Sequence, residues 1–323
     1  MSRRRAGVLP GLLAAAALAA VVLWRVIPNV SGGAHSAASK PPPPVAAPAP
    51  PAAPPAAPSA NPVIASSAAP PAPSSASCDG GSPATRANQT SLTNLAWSPF
   101  GRPESGWATY APLVAREIGT ACPPDSAGFA RDYARWQARM KVTADGVFKP
   151  GDFERLRAML MLRRPFVQLT SKGACPVSPD PSTLAAARPD EAYGGKLIQL
   201  RPGALAAYRR MVAAARAQGL ARQAPLLQLV SGYRGPAEEA ARCEDGSCNT
   251  LTRANCSAHR TGLALDLYLP PAMGHDPVST AEDDRRHMTA SPEYRWLVAN
   301  AGSFGFLPYP FEPWHWAWTG DAP

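Results

Sequence analysis

The first 77 residues of this chain cannot build a core. They contain no acid and one aromatic residue, Trp24, and Lys40 to Ser77 is almost wholly Pro, Ala and Ser. Such a composition favours extended, polyproline-like conformations and buries nothing. Any folded domain must therefore be made from residues 78 onward. At about 3.1 Å per residue, the 26–77 stretch is read as a disordered linker whose Pro-rich part can reach about 110 Å.

The linker is preceded by a different signal. Arg3, Arg4 and Arg5 stand before an uncharged run from Ala6 to Trp24, rich in Leu, Ala and Val, and Arg25 closes it. At about 1.5 Å per residue that run spans roughly 28 Å as a helix, close to the hydrocarbon thickness of a bilayer. Residues 1–25 are expected to be a membrane anchor, with the basic end cytoplasmic and the body exported. A signal peptide cleaved to release a secreted protein is the alternative.

The formal charge of +9 belongs largely to that tail. Arg3, Arg4, Arg5, Arg25 and Lys40 are the only charges before Cys78; without them 27 bases face 23 acids, a balance of +4. No basic run marks a nucleic-acid footprint, so nucleic acid is not an expected partner. Six cysteines, Cys78, Cys122, Cys175, Cys243, Cys248 and Cys256, all follow the linker. In an exported chain an even count argues for up to three disulfides, with the pairing open. Cys243 and Cys248 can close a tight local loop. Thiolate ligation of zinc is the weaker reading, since the spacing fits no common cysteine finger.

The expected fold class is α+β, a small antiparallel sheet flanked by helices, with a small helical subdomain over 78–170 ahead of the main domain at 171–323. Phe129, Tyr133, Trp136 and Met140 form one helical stripe, and Phe153, Leu156, Met159 and Leu160 a second. Asp145-Gly146 and Pro150-Gly151 mark a turn between them. The stretch RWQARMKVTADGVFKPGDFERL resembles the short helical peptidoglycan-binding repeat, although Lys149 stands where that repeat commonly has Gly. Wall binding and a purely structural role both stay open.

Further on, Leu205, Tyr208, Met211, Val212 and Ala215 predict a helix stopped at Gly219. Leu226 to Val230 reads as a strand. Leu263, Leu265, Leu267 and Leu269 alternate with Ala264, Asp266 and Tyr268, which places Asp266 opposite the leucine row, at the edge of a site rather than in the core. Ser291-Pro292 opens a helix that ends by Gly302. Phe304 to Trp318 is expected to be an edge strand. His275 and His287, among Asp283, Asp284, Arg285 and Arg286, are taken as part of a solvated loop.

Two short segments carry the chemistry: Ser257-Ala-His-Arg-Thr-Gly-Leu-Ala-Leu-Asp266 and Glu312-Pro-Trp-His315. Two imidazoles and a carboxylate match a catalytic zinc site, and Glu312 is a spare carboxylate available as a base. Gly262 can turn the chain so that His259 and Asp266 converge. Glu312 and His315 are three apart, so a straight strand would send them to opposite faces. The alternation must break near Pro313 if both serve one site.

These segments resemble the zinc D-Ala-D-Ala carboxypeptidases and dipeptidases of the vancomycin-resistance type, with related wall endopeptidases. The pattern S-x-H-x-x-G-x-A-x-D followed by E-P-W-H stands intact, with SGYR (231–234) upstream and WLVANAGSFGF (296–306) between. The resemblance implies one Zn2+ held by His259, Asp266 and His315, Glu312 as catalytic base, and Arg234 in contact with substrate. Ser257 is either a substrate contact or a turn residue, and Trp314 and Trp316 can wall the pocket. The cysteine-rich stretch 243–256 is not taken as a family feature.

No lysine has Ser at the third position before it, so a serine-type S-x-x-K enzyme is excluded, and H-E-x-x-H is absent. The expectation is a zinc metallopeptidase acting on peptidoglycan peptides, foremost a D-alanyl-D-alanine carboxypeptidase. A cross-link endopeptidase is the alternative within the same chemistry. A non-catalytic, metal-stabilised wall-binding protein is the alternative outside it.

Overall fold

The computed structural model describes residues 78–171, 173–249, 251, 254 and 256–320. The expected anchor (1–25) and linker (26–77) lie outside them. Among the described residues no helix is long and apolar enough to cross a membrane.

The first part is helical: α1 (Pro83–Asn94), a two-residue hairpin β1 (Ala96–Trp97) and β2 (Glu104–Ser105), then α2 (Ala111–Ile118), α3 (Ala127–Arg139), α4 (Pro150–Leu162) and α5 (Pro165–Thr170). Ser82 and Ser126 cap α1 and α3, each hydroxyl accepting from a backbone N–H three residues on. The turn between α3 and α4 falls where Asp145-Gly146 predicts it. The buried Gln137 amide donates to Asp152 at 2.8 Å and accepts from the Gly146 N–H at 2.8 Å. Asn88 of α1 closes the same turn, donating to the Gly146 carbonyl at 2.9 Å and accepting from the Phe148 N–H at 2.8 Å.

A second hairpin follows, β3 (Ala185–Ala186) with β4 (Gln199–Leu200), and then α6 (Pro202–Ala217). Leu205, Tyr208, Met211, Val212 and Ala215 are its buried stripe, as the periodicity requires. The remaining elements are β5 (Leu229–Ser231), α7 (Pro236–Ala241), β6 (Ala264–Leu267), α8 (Glu282–Ala290), α9 (Pro292–Asn300), β7 (Phe306–Tyr309) and β8 (Glu312–Trp318). Ser291 caps α9, accepting from Tyr294 N–H.

β5, β6, β8 and β7 form one antiparallel sheet in that spatial order. The architecture is α+β, as expected. Several details differ from the sequence reading. The strand expected over 226–230 begins only at Leu229, because Leu227 takes a positive φ of 59°. The expected edge strand over 304–318 is two strands: β7 takes the edge, while β8 lies inside the sheet, paired on both sides. All of β6 is buried, Asp266 included, since both faces of this strand are covered. The expected solvated loop around Asp283 to Arg286 is α8, in which Asp284 and Arg285 are buried.

One apolar core runs through both parts. Trp107, Tyr110 and Phe153 from the helical part belong to the same packed cluster as Leu265, Leu267 and Trp316 of the sheet. A buried ion pair spans it: Arg285 Nη2 donates to Glu104 Oε1 at 2.6 Å, with side chains 2% and 3% exposed. Tyr110 hydroxyl donates to Glu104, and Arg285 Nη1 donates to the Tyr110 oxygen and the Phe311 carbonyl. Three disulfides pair all six cysteines, Cys78–Cys122, Cys175–Cys256 and Cys243–Cys248, which includes the expected local loop.

Candidate active site

The two motif segments meet at the middle of the sheet. A short 3-10 turn, Ala258–Thr261, carries His259 and ends at Gly262, whose φ of +69° swings the chain into β6 and brings Asp266 back beneath the ring. Asp266 pairs in register with His315 of β8. One donor atom from each of His259, Asp266 and His315 falls within 4.8 Å of the others, and all three residues are buried. Among the described residues this is the one such cluster. His275 reaches only Ser279 and Asp283, and His287 is exposed.

The orientation of each group follows from its partners. His259 Nδ1 lies 2.6 Å from the Gly232 carbonyl, which can only accept, so Nδ1 carries the hydrogen. Nε2 then turns to Asp266 Oδ1 at 3.3 Å. His315 presents Nδ1 to the same oxygen at 2.9 Å. A lone pair facing a carboxylate oxygen at these distances is repulsive unless a proton or a cation lies between them. Burial would raise the Asp266 carboxyl, but the His259 and His315 imidazoles beside it hold it well below the usual carboxylate range. Burial pushes His315 down to about 3, outweighing the attraction of Asp266, so its ring is neutral. One anionic carboxylate and two imidazoles, one of them anchored by a backbone carbonyl behind it, are the donor set a divalent metal takes.

Glu312 joins the cluster through an irregularity in the sheet. β7 and β8 pair as Phe306 with Trp318, Leu307 with Ala317 and Pro308 with Trp316, and then the register jumps so that Tyr309 faces Glu312. The extra residues in β8 remove the strict alternation, as the spacing of Glu312 and His315 demands. Glu312 Oε2 thereby sits 3.9 Å from His315 Nδ1. Burial, then repulsion from Asp266, pushes the Glu312 carboxyl up to about 8, against the pull of Arg164, Arg234 and Arg242.

A cavity of about 700 Å³ opens over these groups, lined also by Arg234, Ser257 and Trp314. Arg234 Nη1 donates to Ser231 at 3.0 Å. The Ser257 hydroxyl donates to the buried Glu239, which also receives Ser257 N–H and the Arg260 guanidinium. Its turn role is therefore explicit. Trp316 is fully buried and absent from the cavity wall; its indole N–H donates to the Pro313 carbonyl.

Two residues escaped the sequence reading. Glu239 holds the His259 turn from behind, and nothing in its surroundings along the chain signals burial. Arg164 is 4% exposed and lines the cavity from the helical part. Pro165 after it dictates an extended backbone, here φ −74° and ψ 133°, but not where the side chain goes.

Residues 197–321 match the VanY family model, described as D-alanyl-D-alanine carboxypeptidase. Over that stretch the chain is similar to the VanY peptidases. The VanY-like stretch holds Arg234, Ser257, His259, Asp266, Glu312, Trp314 and His315, and leaves out Arg164 and Glu104. No curated protein matches the chain. Among solved structures, the LdcB LD-carboxypeptidase, reported for its peptidoglycan recognition, is 24% identical over 45% of this chain and 72% of that one. Its TM-score of 0.33 marks a superposition too loose to place residues by.

Proposed function

We propose that this protein is a zinc-dependent peptidoglycan peptidase that removes the terminal D-Ala from cell-wall peptides as a D-alanyl-D-alanine carboxypeptidase. The observation that carries the reading is Glu312, a carboxylate surplus to the three donors yet brought 3.9 Å from His315 by a break in strand register. A site built only to bind metal for stability has no use for it.

His259 through Nε2, Asp266 through Oδ1 and His315 through Nδ1 would hold the ion. When bound, zinc supplies a Lewis acid that polarises a carbonyl and makes water nucleophilic near neutral pH. Glu312 takes a proton from the attacking water and returns it to the departing amine. Arg234, permanently charged at the cavity wall, steadies negative charge on the substrate. Asp266 keeps both rings oriented, and Glu239 keeps the His259 turn in place. Trp314 supplies an apolar wall.

In this reading the N-terminal segment, 1–25, holds the protein to a membrane with the catalytic part outside, or is removed to release it. The linker (26–77) gives it reach to the wall, and the helical part, 78–170, adds a contact to glycan. The test is to incubate the purified protein with a pentapeptide muropeptide, with and without chelator, and to follow products by mass spectrometry. Chelator-sensitive release of D-Ala is expected. Cutting only between cross-linked stems would mark an endopeptidase, and binding without any cut would mark a wall-binding protein.

A further inference from the structure

Arg164 has a buried guanidinium that the chain itself leaves unmatched. Its Nε is buried without a hydrogen-bond partner, and Nη1 meets only the Met161 sulfur at 4.0 Å. Among the described residues no carboxylate forms an ion pair with it. The guanidinium lies over the Tyr309 ring, 4.5 Å from its centre, and the charges it feels are those of Glu312 and Asp266 in the same cavity. An isolated buried cation is costly, and a ring face offsets only part of that. Burial pulls its pKa down to about 10, which still leaves it charged at neutral pH.

The position is well defined. Arg164 follows the C-cap of α4 and stands at the N-cap position of α5, and the following Phe166 and Val167 line the cavity beside it. None of these residues falls in the VanY-like stretch, so the helical part contributes a wall to the site.

We infer that Arg164 is a substrate-binding residue which receives the free C-terminal carboxylate of the peptide, and so restricts the enzyme to chain ends. This rests on the peptidase reading above. The planar guanidinium fork matches a carboxylate with two parallel hydrogen bonds. It is charged before any reaction begins, so a ligand group that is charged beforehand compensates it throughout. An oxygen that becomes negative only during reaction would leave it unmatched in the bound complex. Arg234 is held by Ser231 through Nη1, although its Nε also lacks a partner, and it remains for that second task.

The test compares a pentapeptide muropeptide with its C-terminal amide. The wild-type chain should prefer the free acid, and Arg164→Met should lower kcat/KM for the acid by about 10- to 100-fold, the size expected for charged hydrogen bonds, while leaving the amide within about 3-fold. Arg164→Lys, which keeps charge without the fork, should fall between and guards against a misfolded Met variant; melting temperature and metal content check both. An equal loss on acid and amide would make Arg164 structural and overturn the assignment. Loss of the preference in Arg234→Met but not in Arg164→Met would overturn it too. Equilibrium binding of both peptides to Glu312→Gln and to Glu312→Gln/Arg164→Met separates this inference from the peptidase reading. If the wild type cleaves neither peptide, that reading fails, while tighter binding of the acid that depends on Arg164 still supports the anchor. Equal binding of acid and amide to the Glu312→Gln chain would sink it.

Discussion

Glu312 Oε2 and His315 Nδ1 lie 3.9 Å apart on one side of a strand in which regular pleating would separate them. The register jump between Pro308 and Tyr309 makes this possible, so the Glu312 carboxylate is positioned by backbone pairing rather than by a flexible side chain. Glu312→Gln should therefore abolish D-Ala release, by at least about 100-fold in kcat, while the protein keeps its metal. Asp266→Ala should lose both, since it removes the anionic donor shared by the two rings. Metal content by mass spectrometry alongside kinetics separates the two outcomes, and a Glu312→Gln chain with normal turnover would refute the assigned role.

Gly232 sits where backbone meets backbone. A Cβ there would lie 2.6 Å from the Gln199 carbonyl oxygen and 2.7 Å from the Ile198 side chain, and the Gly232 carbonyl is the partner of His259 Nδ1. Gly232→Ala must push the backbone at 232 away from Ile198 and Gln199 and release the ring from its support. Metal affinity should drop about 10- to 100-fold, measured by competition with a chromogenic chelator. Unchanged affinity would mean that the carbonyl does not orient the ring.

The Glu104–Arg285 pair predicts a stability effect far from the chemistry. Removing the carboxylate in Glu104→Ala strands a buried guanidinium and should cost about 3–5 kcal/mol, read by denaturant unfolding. Replacing both members with apolar residues of similar size should recover much of that loss. A loss in the double variant as large as in the single would argue that the pair is more than mutual compensation.

Glu191 offers a pH signature. Burial would raise its carboxyl, but hydrogen bonds from the Arg209 side chain and the Arg188 N–H, with both guanidinium charges, bring it below the ordinary value. A depressed folded-state pKa stabilises the fold above the unfolded value, about 4.3, and that contribution is lost as pH falls through the folded value. Glu191→Gln should thus melt below the wild type at pH 7, with the gap narrowing in acid. A gap that stays constant down to pH 3 would contradict the linkage.

Much of the site could be read from the residues because its proposed ligands lie in two short segments whose spacing is itself chemical. His259, Gly262 and Asp266 needed only a turn and a strand. The Glu312–His315 pair announced a conflict with strand geometry that the sheet resolves as a bulge. The helical stripes around Trp136 and Leu156 and along α6 were legible from period alone. What stayed hidden depends on tertiary neighbours. Asp283 to Arg286 look like surface, yet Arg285 is buried because Glu104, 181 positions earlier, supplies its counter-charge. The 304–318 stretch looked like a rim because its prolines suggest an edge, but Pro313 of β8 stands at the register break, where it interrupts no regular ladder. Arg164 carried no marker at all, since the cavity it faces is assembled from the other end of the chain.

The common core has a practical consequence for anyone seeking a minimal enzyme. A fragment cut to residues 197–321 would lose the Glu104 counter-charge, the aromatic layer around Trp107 and Phe153, and the Cys175 half of a crosslink to Cys256 at the cavity rim. Swapping that fragment into another scaffold would transplant the His259, Asp266 and His315 cluster without the roof that sits over it. Fusions and hybrids of this protein should therefore exchange everything from Cys78 onward as one block.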